Sequence, residues 1–245
     1  MRIKTIKRRE LKYLLPWEQY QEVVEHLADY LTPDEHSAGS YTVTSLYFDT
    51  EDYKAYWDKI DGQRFRRKLR VRIYGTETTS ADVTCFVEIK QRLDKTISKR
   101  RLVLPYQTAI ALDAYENLLS DASVDDRPVL EEIIYLRDVF QLQPACIVSY
   151  QRLAFNGGPY EPDLRVTFDT QLKGRIHELS LTQAAKNHYF APPDWCIMEV
   201  KINERVPYWL TEVIGTYGIT LRRISKYCAT LEANQAILNR QRIVA

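Results

Sequence analysis

The chain has 245 residues, 45% of them hydrophobic, a mass of 28.8 kDa, a net charge of +1 and an isoelectric point near 7.6. That is enough for a full core in one large or two small domains. It speaks against a protein that coats nucleic acid through a basic surface, so any strong positive field must be local and balanced elsewhere. No apolar run approaches the roughly 20 residues of a membrane span, and the opening residues 1–9 hold no apolar signal core, so a cytoplasmic protein without a span of its own is expected.

Cys85, Cys146, Cys196 and Cys228 form no C-x-x-C pair, and the first three sit in apolar-alternating runs and read as buried thiols of a reduced protein. The four histidines lack metal-ligand spacing, and the 8 glycines form neither a G-x-x-x-x-G-K nor a G-x-G-x-x-G loop. A nucleotide, if bound, is not cradled by glycines.

In chain order, Ile6–Leu14 reads as a strand, with Arg8, Glu10 and Lys12 on one face and Arg9, Leu11 and Tyr13 on the other. Pro16 starts a helix expected over Trp17–Leu31, and a polar loop runs to Ser40. Tyr41–Phe48 is rich in β-formers, and Asp49 or Thr50 can cap a short helix over Glu51–Lys59. Asp61-Gly62 then turns into the most informative stretch, Arg64–Tyr74. There Leu69, Val71 and Ile73 alternate with Lys68, Arg70 and Arg72, which as a strand sets Arg66, Lys68, Arg70 and Arg72 in one row about 6.5–7 Å apart. Such a row is costly unless an anion lies along it, and its own face has no matching acid.

Thr76–Asp82 is polar and reads as a loop. Cys85–Arg92 sets Glu88, Lys90 and Arg92 opposite Val87 and Ile89, and Ile97–Leu104 is again basic and β-like. Helices are expected over Gln107–Leu119 and Pro128–Phe140. Strands return at Ala145–Ala154, with Tyr150 and Arg152 on one face, at Asp163–Thr170, with Arg165, Thr167 and Asp169 on one face, and at Trp195–Lys201, with Glu199 and Lys201 on one face. Helices Pro207–Tyr217 and Ile224 to about Asn239 close the chain. No repeat or linker interrupts it, so one domain over 1–245 is the simpler count.

Strand after strand thus has one apolar and one charged face. An open antiparallel sheet with helices on one side fits, and so does a closed barrel with helices outside and charges lining a lumen. The charged faces are dominated by arginine with a sparse set of glutamates, Glu10, Glu88 and Glu199, and arginine forks match phosphate oxygens. These features favour an α+β protein built on a closed antiparallel barrel that holds a multivalent anion.

Residue by residue the chain resembles the VTC (vacuolar transporter chaperone) domain, a branch of the triphosphate tunnel metalloenzyme superfamily. The resemblance rests on Glu10-Leu11-Lys12-Tyr13, Ser45-Leu46-Tyr47-Phe48-Asp49-Thr50, Arg70-x-Arg72, Val87-Glu88-Ile89-Lys90, Ser98-Lys99-Arg100-Arg101, Ser149-Tyr150-Gln151-Arg152, Glu199-Val200-Lys201 and Ser225-Lys226-Tyr227. It implies an eight-stranded tunnel that binds triphosphate and a polyphosphate polymerase that uses ATP with Mn²⁺ or Mg²⁺. It also implies Lys12, Arg70, Arg72, Lys90, Arg152 and Lys226 as catalytic phosphate ligands, with Glu10, Lys99, Arg101, Tyr150, Arg223 and Ser225 assisting and Glu199 holding the metal. Hydrolytic relatives open with Glu-x-Glu-x-Lys, where this chain has Arg8-x-Glu10-x-Lys12. The partners implied are ATP and inorganic polyphosphate, not nucleic acid, and any tie to a membrane would run through another protein. A triphosphate hydrolase and a silent polyphosphate-binding module are the competing readings, and oligomeric state is left open.

The residues alone also admit plainer roles. Lys90 beside Glu88 and Lys201 beside Glu199 could be simple ion pairs, Tyr150 a packed core tyrosine, and Lys226 a solvated first-turn lysine.

Overall fold

Period-two alternation carries through strand after strand, and in the computed structural model those strands join one antiparallel sheet. The structure describes residues 9–34, 39–75, 83–94, 96–203 and 205–235. The expected strand positions 6–8 (Arg8 among them), the polar loop 76–82 and helix positions 236–239 lie outside the described residues.

The elements run β1 (Arg9–Pro16), α1 (Trp17–Leu27), β2 (Leu31–Pro33), β3 (Tyr41–Asp49), α2 (Lys54–Ile60), β4 (Phe65–Tyr74), β5 (Thr84–Leu93) and β6 (Thr96–Pro105). After α3 (Tyr106–Ile110) and a 3-10 helix over Leu112–Leu118 come α4 (Arg127–Phe140), β7 (Gln143–Gly157), β8 (Arg165–Arg175), β9 (His188–Tyr189), β10 (Trp195–Ile202), α5 (Tyr208–Thr216) and α6 (Lys226–Ala233). The main path orders the strands β1-β10-β8-β7-β3-β4-β5-β6, with β2 beside β7 and β9 beside β8.

Some boundaries differ from the sequence reading for local reasons. The first helix stops at Leu27 rather than Leu31, because Pro33 biases the residue before it toward extended backbone and Leu31 is drawn into the core as part of β2. The helix expected over Gln107–Leu119 breaks at Ala111, whose ψ of 61° is not helical. The helix expected from Glu51 begins at Lys54, after left-handed Tyr53 (φ 59°). Asp49 does cap it: Oδ1 accepts the N–H groups of Thr50 (2.8 Å) and Ala55 (2.9 Å).

The sheet curls but does not close. The expectation of a closed barrel is corrected to an open, eight-stranded half-barrel. The physical reason lies at the free edge of β1. Tyr13 forms a bridge with Leu221, and the Arg222 N–H donates to the Lys12 carbonyl at 2.8 Å, so a segment leading to α6 occupies hydrogen-bonding groups that β6 would need. Among the described residues no ladder joins β1 to β6.

The apolar faces pack outward in two cores. Leu69, Val71, Ile73, Val87 and Ile89 meet α3, the 3-10 helix and α4, while Tyr13, Leu15, Val166, Phe168, Met198 and Val200 meet α1 and α5. A third cluster lies on the concave face, where Tyr227, Cys228 and Leu231 of α6 pack on Val43, Cys146, Val148 and Leu172. Cys85, Cys146 and Cys196 are buried and free, as expected, and so is Cys228. No described helix is long and apolar enough to cross a membrane.

α6 can sit this deep because Gly174 has no side chain. A Cβ there would lie 2.5 Å from Thr230 Cγ2 and 2.6 Å from the Ile147 carbonyl oxygen. Gly174→Ala is therefore expected to destabilise the fold by about 1–3 kcal/mol through overpacking. At roughly 2–4 °C per kcal/mol for a chain of this size, a thermal melt should show it clearly. An unchanged Tm would mean that α6 can leave the concave face without loss.

Candidate active site

The charged faces of β1, β4, β5, β6, β7, β8 and β10 all point into the concave side, where four carboxylates organise the cations. Glu88, fully buried, accepts from Arg70 Nε (2.8 Å) and Nη2 (2.6 Å) on one oxygen and from Lys99 Nζ (2.8 Å) on the other, with Arg72 Nη1 at 4.0 Å. Asp169 takes a bidentate pair from Arg152 (2.7 and 2.8 Å) and a third contact from Lys226 Nζ at 2.6 Å. Glu199 accepts from Lys12 at 3.0 Å and lies 2.9 Å from Lys201 Nζ. Glu10 lies 3.0 Å from Lys12 Nζ and accepts from Lys90 at 3.0 and 2.9 Å. The last contact spans the open sheet from β5 to β1.

Hydroxyls complete the arrangement. Tyr47 accepts from Arg70 (3.0 Å), while Ser45 (2.9 Å) and Tyr150 (3.3 Å) accept from Arg72. The Tyr150 ring lies beneath both Arg152 Cζ (5.1 Å) and Lys226 Nζ (4.8 Å). This one side chain therefore links the Glu88 group of cations to the Asp169 group.

The residues named from sequence fall into two sets. Lys12, Arg70, Arg72, Lys90, Arg152, Lys226, Glu10, Lys99, Tyr150 and Glu199 converge on the concave side. Arg101 faces the same side from β6, exposed, over the Phe86 ring at 5.0 Å. Arg223 is exposed just before α6, and Ser225 caps that helix, its Oγ accepting the Cys228 N–H at 3.3 Å.

Sequence reading missed Asp169, Lys201, Lys68 and Tyr47, and it held that Arg70 and Arg72 lack a matching acid. The acid comes from the next strand, since Arg70 and Glu88 are direct partners in the β4–β5 ladder. The signal was the shared period of the two strands, which fixes faces but not register. Asp169 could have been found the same way, as the partner of Arg152 across β7–β8.

Burial alone would raise the carboxyl pKa values, and burial is the largest influence on each. The neighbouring cations outweigh it. Glu10 is held at about 2 by Lys90, Lys12 and Lys201 despite burial and Glu199, and Asp169 at about 2 by Arg152 and Lys226. Arg70, Arg72 and Lys99 hold Glu88 far down, and Lys12 and Lys201 do the same for Glu199. Burial pulls Lys201 down to about 8, with Glu199 opposing.

Among the described residues eight cations share four carboxylates, so the trough keeps an excess of fixed positive charge with donors already aimed inward. A polyanion entering it would meet preorganised donors that need little reorganisation. The fold family implies a divalent cation, and the donor chemistry fits one that takes one or two carboxylates and completes its shell with substrate oxygens. Glu10 and Glu199 converge on Lys12, and the buried Thr167 hydroxyl, on the strand paired to Glu199, has no hydrogen-bond partner. Among the described residues no cluster of three acidic, histidine or cysteine ligands exists.

These ion pairs predict an acid-labile fold. The folded pKa values of Glu10 and Asp169 lie below their ordinary values of 4.5 and 3.8. Their contribution is therefore complete above about pH 5 and is lost as pH falls toward about 2. Urea denaturation across that window should show falling stability, and Asp169→Asn should flatten part of the slope. A flat profile in the wild type would show that the pairs do not stabilise the folded state.

Comparison with known proteins bears on the fold and the family. A putative adenylyl cyclase from Hippeastrum, HpAC1, described as having a dominant triphosphatase activity, shares the fold with a TM-score of 0.55 at 16% identity, over 92% of this chain and 95% of that one. The PH1819 protein of Pyrococcus horikoshii OT3 aligns over 92% of this chain and 98% of its own at 12% identity, with a TM-score of 0.47. The Mimivirus capping enzyme triphosphatase aligns over 86% and 89% at 9% identity, with a TM-score of 0.40. No curated protein sequence matches the chain. The VTC domain model matches residues 7–234, nearly the whole length, and the chain belongs to the VTC domain family, with the fold of the triphosphate tunnel proteins.

Proposed function

We propose that this protein is a polyphosphate polymerase that transfers the γ-phosphoryl group of ATP to a growing inorganic polyphosphate chain in the trough. Arg70, Arg72, Arg152, Lys226, Lys12 and Lys90 bind and neutralise the phosphates, with Lys99, Arg101, Arg223 and the hydroxyls of Tyr150 and Ser225 assisting. One observation carries the choice of transfer over hydrolysis. Each of the four organising carboxylates is engaged by at least two cations, and the pKa values of all four are driven down.

A hydrolase must orient and activate water, and carboxylates so acidic are poor general bases. The terminal phosphate of a polyphosphate chain is already ionised at neutral pH and needs none. Phosphoryl transfer then asks for positioning and charge stabilisation, which a row of fixed guanidinium and ammonium groups supplies. Glu199, with Glu10 beside it, would hold a divalent cation, Mn²⁺ or Mg²⁺, whose chemistry is to neutralise charge on the transferred group.

Incubation with ATP and Mn²⁺ or Mg²⁺ should yield long-chain polyphosphate resolved on a gel. Release of monophosphate alone would favour a triphosphate hydrolase, and binding without turnover a polyphosphate-holding module. Arg72→Ala should lower turnover by roughly 10²-fold or more, as loss of one preorganised donor does elsewhere. Its fold should survive, because Glu88 keeps Arg70 and Lys99.

Glu199→Gln should abolish metal-dependent turnover yet retain metal-free triphosphate binding in calorimetry, since it removes negative charge from the trough. Full activity in that variant would move the metal ligand elsewhere.

A further inference from the structure

The charge pattern along β4 and β5 is not uniform. Counted outward from the trough, Arg70 faces Glu88, then Lys68 faces Lys90, then Arg66 faces Arg92. Two successive cross-strand pairs are therefore cation on cation, an arrangement that destabilises a bare sheet. Lys90 still reaches Glu10, but Arg66 and Arg92 have no carboxylate within ion-pair distance among the described residues.

The acids nearby are already committed. Asp58 is held by Lys54 at 2.7 Å, and Asp94 is held by Arg64 at 2.6 and 3.1 Å. Arg92 is aligned instead by donating Nε to the Asp94 backbone carbonyl at 2.7 Å.

Two further cations come from other elements. Lys59, at the end of α2, has its pKa lowered first by burial and then by the positive fields of Arg66, Lys68 and Arg223. Arg223, just before α6, adds its charge to the field at Lys59 from a separate element. β4, β5, α2 and the approach to α6 thus crowd four cations at one mouth, and among the described residues the nearest acid, Asp58, is already paired with Lys54.

We propose that Lys59, Arg66, Arg92 and Arg223 form an outer site for the distal phosphates of an inorganic polyphosphate chain longer than a triphosphate. The proposal rests on the trough being the phosphate site described above and assigns this mouth to the polymer. Arg66 lies two strand steps from Arg70, about 13–14 Å. A triphosphate held at Arg70 and Arg72 is too short to span that distance, whereas a longer chain lying along the row reaches it. Lys68 and Lys90 bridge the interval.

The test compares two probes, inorganic triphosphate and a long-chain polyphosphate fraction, on the full-length wild type and the triple variant K59Q/R66Q/R92Q. Melting temperature confirms that the variant is folded, which relief of like-charge repulsion favours. The variant should bind triphosphate within about twofold of wild type but long chains roughly tenfold or more weakly, as three partly solvated charge contacts of a few-fold each would give. The wild type's advantage for long chains should shrink at high salt.

Equal long-chain affinity in the two proteins would overturn the outer site. An equal loss for both probes would also overturn it, by showing a general field rather than a site. If the wild type binds neither probe, the reading of the trough itself fails, and that outcome is distinct from the other two.

Discussion

Sharing of buried carboxylates is the constraint on which the rest of this structure depends. A cation taken out of water needs a partner, and a lumen of unpaired arginines would not hold together. Here each of Glu88, Asp169, Glu199 and Glu10 serves two or three cations at once. The ratio leaves enough negative charge to stabilise the fold and enough surplus positive charge to attract an anion. It also fixes side-chain directions: Arg152 is held bidentately, and Arg70 is held between Glu88 and Tyr47. Rigid donors of this kind are what the proposed phosphoryl transfer would draw on.

Much of this was legible in the sequence, because strand alternation is a strong signal. The faces of β4, β5, β7, β8 and β10 were readable from residues such as Leu69, Val87 and Val166 against Arg70, Glu88 and Asp169. What alternation cannot supply is register and closure. The pairing of Arg70 with Glu88 depends on which residues of two strands stand opposite, and nothing local fixes it. Likewise, whether a curled sheet seals into a barrel is decided by long-range competition for β1's edge, won by Leu221 and Arg222. The early stop of α1 was a local failure, since Pro33 was read only as the end of a longer helix.

α6 ties the outer architecture to the site. Its hydrophobic residues fill one part of the concave face, and its first residue, Lys226, reaches Asp169 beside Arg152. Tyr227 donates its hydroxyl to Asp49, the residue that also caps α2. Lys68 Nζ lies 4.3 Å from the centre of the Tyr227 ring. Packing of α6 on Gly174 therefore bears on the placement of Lys226 and on the approach to the outer mouth, so a substitution that loosens this helix would disturb affinity and stability together.

Among the described residues an open half-barrel leaves one side of the β6 backbone without a strand partner, and such an edge invites a second chain to add a strand. The sequence of β6 works against this. Lys99, Arg100 and Arg101 stand in succession at its middle, and Pro105 ends it without an N–H to donate. Two copies brought edge to edge would set these like charges against each other. Lys99 and Arg101, which face the concave side, would thus also disfavour self-association into extended sheets, so the side chains proposed for chemistry would serve colloidal stability as well.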